Sequence, residues 1–198
     1  MANILIACNN DTNVVLHNFM QYCADVAKQY CVDNGHLYSL VEPPRFTENE
    51  IITPMQKHHL CFVAAHGDYN GVYNEINDDV ITVRTTNYAF ANKGIYTVAC
   101  SCAQNLHPEL HRIGLKLSVG YNDAFFVGDD ESAFCDCALE GLKHILQGKT
   151  KAEAHKAMLD KYDEVIATLP FHDRILLLHD KERLVFEGRD DVSIADLV

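Results

Sequence analysis

"FVAAHGDYNG" (residues 62–71) is an apolar run that stops abruptly at His66-Gly67. It continues "HLCFVAA" (59–65), whose unbroken apolar character predicts a strand buried on both faces. A second run of this kind, "GIYTVAC" (94–100), stops at Cys100. Between them "VYNEINDDVITV" (72–83) reads as a hairpin turning at 77–79. If the two runs are neighbours in a parallel sheet, their backbones lie about 5 Å apart. An imidazole and a thiol then meet beyond the carboxyl ends of the strands, where open α/β sheets gather their functional groups.

Working outward, "NILIAC" (3–8), "HLYSLVE" (36–42) and "LKLSVGYN" (115–122) supply further strands. After "NNDTN", whose side chains can cap, Val14, Val15, Phe19, Cys23, Val26, Ala27 and Tyr30 recur at helical spacing until "DNG" (33–35) ends the run. Glu48 to Lys57 reads as helix or loop, and "TTNYAFANKG" (85–94) as a short capped helix. Two amphipathic helices are expected near 130–147 and 150–167, separated by Gly148. "RILLLHD" (174–180) and "RLVFEG" (183–188) read as a last hairpin or edge strand. Strands alternating with helices predict an α/β three-layer sandwich, a mostly parallel sheet flanked by helices. No repeat or linker-like segment interrupts it, so one domain over 1–198 is expected.

Composition narrows the function. The 198 residues are 48% apolar and 22% charged, ordinary for a globular domain. A formal charge of −12 with no basic stripe argues against nucleic acid. "MANILIACNN" has an apolar run too short for a signal peptide and no basic leader, and no stretch is long enough to span a membrane. Eight cysteines without a secretory leader are expected to be reduced thiols in a cytoplasm. "CSC" (100–102) and "CDC" (135–137) are C-x-C pairs, and with His58, His59, His107 and His111 they form no four-ligand zinc spacing. No metal or other cofactor is expected. His58-His59 reads as a strand boundary, His107 and His111 as a helix surface, and Cys135 and Cys137 as partly core.

A thiol attacks carbonyls as its thiolate, so a catalytic cysteine needs a group to take its proton, and histidine titrates in the right range. Gly67 lets a substrate backbone approach, and its N–H can join that of Cys100 in holding a developing oxyanion. Each feature alone is weak; their co-occurrence carries the argument.

"CFVAAHGDYNG", a small hairpin, "IYTVACSCAQ" and then "KLSVGYNDAFF" resemble, in that order, the caspase-like cysteine peptidases of clan CD, most closely the compact bacterial CHAT-type domains. The resemblance covers about residues 59–128 and the flanks in outline. It implies a His66–Cys100 dyad acting on a protein or peptide substrate through an acyl-enzyme. It also implies a preference for one charged or polar side chain before the cleaved bond. Asp68, Asp123, Asp129 and Asp130 follow the key segments; Asp123 and Asp129 are the candidates to receive a basic residue, against a plain reading as loop carboxylates and turn formers. Two departures stand out. Cys102 is a rival nucleophile, on the same pleat side as Cys100 if the strand continues. The recognition or repeat domains often attached to CHAT-type modules are lacking, which points to control by a regulatory partner protein. Two alternatives remain: a catalytically idle caspase-like interaction module, and a different cysteine hydrolase on a flavodoxin-like sheet with its thiol on a strand-to-helix elbow.

Overall fold

The continuous apolar runs at 3–8, 59–65 and 94–100 supply interior strands of the sheet, and the computed structural model describes residues 1–84 and 88–198. Strand β1 (Asn3–Cys8) is followed by α1 (His17–Asp33), β2 (Leu37–Val41), α2 (Glu48–Met55) and β3 (Leu60–Ala64). The short β4 (Gly67–Asp68), β5 (Gly71–Tyr73) and β6 (Asp79–Thr82) come next, then a 3-10 turn at Tyr88–Phe90. β7 (Gly94–Val98), α3 (Leu106–Arg112) and β8 (Leu117–Tyr121) lead to α4 (Glu131–Leu146), α5 (Lys151–Ile166), α6 (Phe171–Arg183) and β9 (Leu184–Gly188).

Six strands form one sheet in the order β2-β1-β3-β7-β8-β9, parallel except for β9, which runs antiparallel to β8. Because side chains alternate across a strand, the sheet has two apolar faces. Ile4, Ile6, Phe62, Ala64, Tyr96 and Val98 pack with residues of α1, α4 and α5. Leu5, Ala7, Cys61, Val63, Ile95 and Ala99 pack with Ile51 and Met55 of α2 and with Leu106 and Leu110 of α3. This is the expected three-layer sandwich. The expected hairpin is part of a separate three-stranded antiparallel sheet, β4-β5-β6, whose turn contains Asn77 at φ 64°. The proposed cap of "TTNYAFANKG" falls on residues 85–87, outside the described residues; Tyr88–Phe90 forms the 3-10 turn.

Three expectations change. The first helix starts at His17, so Val14 and Val15 precede it. Asp11 does not cap; its carboxylate accepts the Asn13 N–H at 2.8 Å, a local turn that competes with helix. "RILLLHD" is not a strand but lies within α6, which starts after Pro170. An Ile-Leu-Leu-Leu run fits either period, and what decides is that Asp173, Leu177 and Asp180, at helical spacing, are the residues that α6 buries. Finally, His107 is not on a helix surface. It is fully buried, with Nε2 3.2 Å from the Thr97 hydroxyl. No helix among the described residues is long and apolar enough to cross a membrane.

Candidate active site

The register of β3 and β7 pairs Ala64 with Val98, and the Ala65 N–H reaches the Val98 carbonyl at 3.3 Å. Continued by two residues, this pairing puts His66 opposite Cys100. Both share the parity of Ala64 and Val98, so both side chains emerge on the α1 side, where they line one small cavity.

His66 is exposed, and its Nε2 lies 2.8 Å from the Val15 carbonyl. A carbonyl can only accept, so Nε2 carries the proton and Nδ1 is left for acid–base work. The loop that supplies Val15 is itself anchored: the Asn9 N–H bonds the Ala64 carbonyl at 2.9 Å, and Leu16 closes it in a left-handed conformation at φ 64°.

The Cys100 thiol is partly buried. The Phe125 N–H donates to its Sγ at 3.4 Å, and the Phe125 carbonyl lies 3.8 Å away. Burial pushes the thiol above its ordinary range, the Phe125 backbone contact works in the opposite direction, and the carboxylates of Asp180 and Asp123 add to the rise. A thiol held protonated in this way needs a base at the moment of attack.

Gly67 pairs with Val72, while the Tyr73 N–H bonds the His66 carbonyl at 3.2 Å. Gly67 is therefore at a non-hydrogen-bonded position of the β4–β5 ladder, and its N–H points away from β5. The glycine is also required by space. A Cβ there would stand 2.9 Å from both the Cys102 Sγ and the Gly71 carbonyl, and 3.2 Å from the Cys100 carbonyl.

Cys102 does not share the pleat side of Cys100. β7 ends at Val98, Ser101 turns the chain at φ 56°, and Cys102 is fully buried among the residues of the α2/α3 face. Its Sγ is 3.7 Å from the Gly71 carbonyl, and burial drives its thiol far up.

The carboxylates take structural places. Asp68 accepts the N–H groups of Asn70 (2.6 Å) and Gly71 (3.2 Å) and the Tyr73 hydroxyl (3.0 Å), and so shapes the small sheet. Asp130 caps α4 by accepting the Ala133 N–H. Asp123 lies 3.7 Å from the Arg183 guanidinium, and Asp129 is exposed; neither lines the cavity.

Two acids that the sequence reading passed over hold the loop after β8. Asp180 accepts the Phe126 N–H at 3.0 Å, and Asp173 accepts those of Asp129 (3.2 Å) and Asp130 (3.3 Å). Burial raises the Asp180 carboxyl to about 8, with the Phe126 N–H opposing, and its second oxygen has no hydrogen-bond partner. The signal available was the Asp173/Leu177/Asp180 spacing, which assignment of the segment to a strand concealed. Among the described residues, no group of three or more His, Cys, Asp or Glu converges as a metal site. All eight cysteines are free thiols.

No protein-family model matches the chain, and no curated protein sequence does so either. Solved structures do. The Arg-specific cysteine proteinase gingipain R superposes with a TM-score of 0.66 at 13% identity, over 96% of this chain and 47% of that one. The complex of the pro- and mature domains of RgpB from Porphyromonas gingivalis gives 0.65 at 12% identity, over 97% and 48%. The chain therefore shares the caspase-like α/β fold of gingipain R. The chain spans about half the length of the gingipain chains it matches.

Proposed function

We propose that this chain is a cysteine endopeptidase that cleaves a protein substrate through a His66–Cys100 dyad and an acyl-enzyme. The observation that carries the reading is the convergence of the two side chains on one cavity, with the imidazole oriented by the Val15 carbonyl. His66 Nδ1 takes the thiol proton as the Cys100 sulfur adds to the scissile carbonyl. The N–H groups of Gly67 and Cys100 stabilise the oxyanion. His66 then gives the proton to the leaving amine as the C–N bond breaks, leaving a thioester. A water attacks that thioester, loses a proton to His66, and releases the acid and the Cys100 thiol.

Cys100 is favoured over Cys102 because its sulfur faces the cavity, while that of Cys102 is enclosed on the far face of the sheet. We further propose, on the motifs of residues 59–128, that the chain is akin to the CHAT-type domains and acts in a cytoplasm under the control of a partner protein. Gingipain R is Arg-specific. The corresponding expectation here, a basic residue before the cleaved bond, rested on Asp123 and Asp129 and finds no carboxylate in the cavity wall.

The test is to incubate the protein with a peptidyl chloromethyl ketone and locate the adduct by mass spectrometry. Selective modification of Cys100, abolished in His66→Ala, is expected. Indiscriminate labelling of all the cysteines would favour an idle interaction module.

A further inference from the structure

The cavity that His66 and Cys100 share has a character that bears on the substrate. Beyond those two residues and the small Ala65 and Ala99, its walls are Leu16, Phe19, Met20, Val98 and Phe125. Among the described residues, no Asp, Glu, Lys or Arg side chain lines it. The space open to the centre of a water-sized sphere is about 20 Å³, which is about what a single water needs.

Resting on the peptidase reading above, we propose that the residue contributing the cleaved carbonyl is small and apolar, alanine above all. The carbon that the sulfur attacks is separated from the substrate's side chain by the Cα alone. That side chain must therefore lie within reach of the wall beside Cys100. The wall cannot recede cheaply. Phe125 is packed on Tyr121 with ring centroids 4.6 Å apart and on Phe19 at 5.9 Å, and Phe19 and Met20 belong to the buried face under α1. Forcing a longer chain into packing of this kind moves side chains off their preferred rotamers.

A charged head would fare worse, because burial without a partner is costly for any ionised group. The carboxylates nearby do not reach it: Asp123 faces Arg183, and Asp180, which accepts the Phe126 N–H through one oxygen and leaves the other without a partner, lies outside the lining. The selectivity is thus one of exclusion, in which the pocket admits a methyl group and rejects both bulk and charge.

A mixed peptide library with every residue represented before potential cleavage sites, digested by the wild type and by Cys100→Ala, tests this. Cleavage that depends on Cys100 and favours alanine over leucine and arginine by about tenfold or more is expected, in line with what small-pocket discrimination achieves. Phe125→Ala should admit leucine; if that variant fails to fold, Met20→Ala serves the same end. Cys100-dependent cleavage after arginine or lysine overturns the size-and-charge rule and leaves the peptidase reading standing. Absence of any Cys100-dependent cleavage takes down both.

Discussion

Gly67 and Cys102 share one small space: a Cβ added to the glycine would come within 2.9 Å of the cysteine sulfur. The residue beside the imidazole is thereby tied to a thiol on the far face of the sheet, which gives Cys102 a structural reason to be there. Gly67→Ala is expected to cost roughly 1–3 kcal/mol, the usual range for overpacking, and to lower the proposed peptidase activity by displacing the N–H assigned above to the oxyanion. Adding Cys102→Ala should restore part of the stability and not all, because the carbonyls of Gly71 and Cys100 still crowd the new Cβ. Thermal unfolding and peptide hydrolysis on the single and double variants check this.

Asp180 makes stability fall with rising pH. Its folded-state value of about 8 lies above the ordinary carboxyl value of 3.8, so the folded chain holds a proton that the unfolded chain has lost between those limits. Its contribution is intact below about pH 4 and disappears as the pH rises through about 8. The slope has an upper limit of about 1.4 kcal/mol per pH unit. Asp180→Asn, which can still accept the Phe126 N–H, should flatten this part of the profile and unfold at a higher temperature than the wild type at pH 9. Denaturant titrations across pH 5–9 measure it.

His107 acts in the other direction. Burial, then the neighbouring His111, lowers its imidazole from 6.5 to about 3, so the unfolded chain binds the extra proton first. The His107 contribution is complete above pH 6.5 and is lost as the pH falls toward 3. Gly120→Ala would press a Cβ to 2.6 Å from the His107 Cε1 and onto the Thr97 hydroxyl, and should destabilise at every pH by roughly 1–3 kcal/mol. Acid unfolding of wild type and variant separates a constant offset from a change of slope.

Asp173 holds two backbone N–H groups of the loop that leads from β8 to α4. Asp173→Ala should leave both donors without their partner, at a cost of about 1–3 kcal/mol. Amide exchange of residues 126–130 should accelerate in that variant, with Asp173→Asn intermediate.

The central strands and the meeting of His66 with Cys100 were legible because they depend on short-range pattern. The runs at 59–65 and 94–100 are rich in β-branched and aromatic residues and bounded by turn residues, which suits a strand buried on both faces, and two such strands in register bring their ends together. What escaped depends on long-range contacts. The Val15 carbonyl is a backbone group, invisible to residue-type reasoning, and it comes free only because the Asp11 turn delays α1 until His17. α6 was misread because its inward face carries Asp173 and Asp180, while Phe171, Ile175 and Leu178 face outward. Polar residues at buried helix positions hide the amphipathic signal until the backbone donors that they serve are known. Cys102 was placed with Cys100 by strand parity, which the turn at Ser101 breaks.

The most direct test of the central claim is hydrolysis of one cleaved peptide by wild type, Cys100→Ala and Cys102→Ala, each shown to be folded by thermal unfolding. The account predicts no turnover by Cys100→Ala and most of the wild-type rate for Cys102→Ala. Turnover that survives in Cys100→Ala, or that vanishes only in Cys102→Ala, would contradict it.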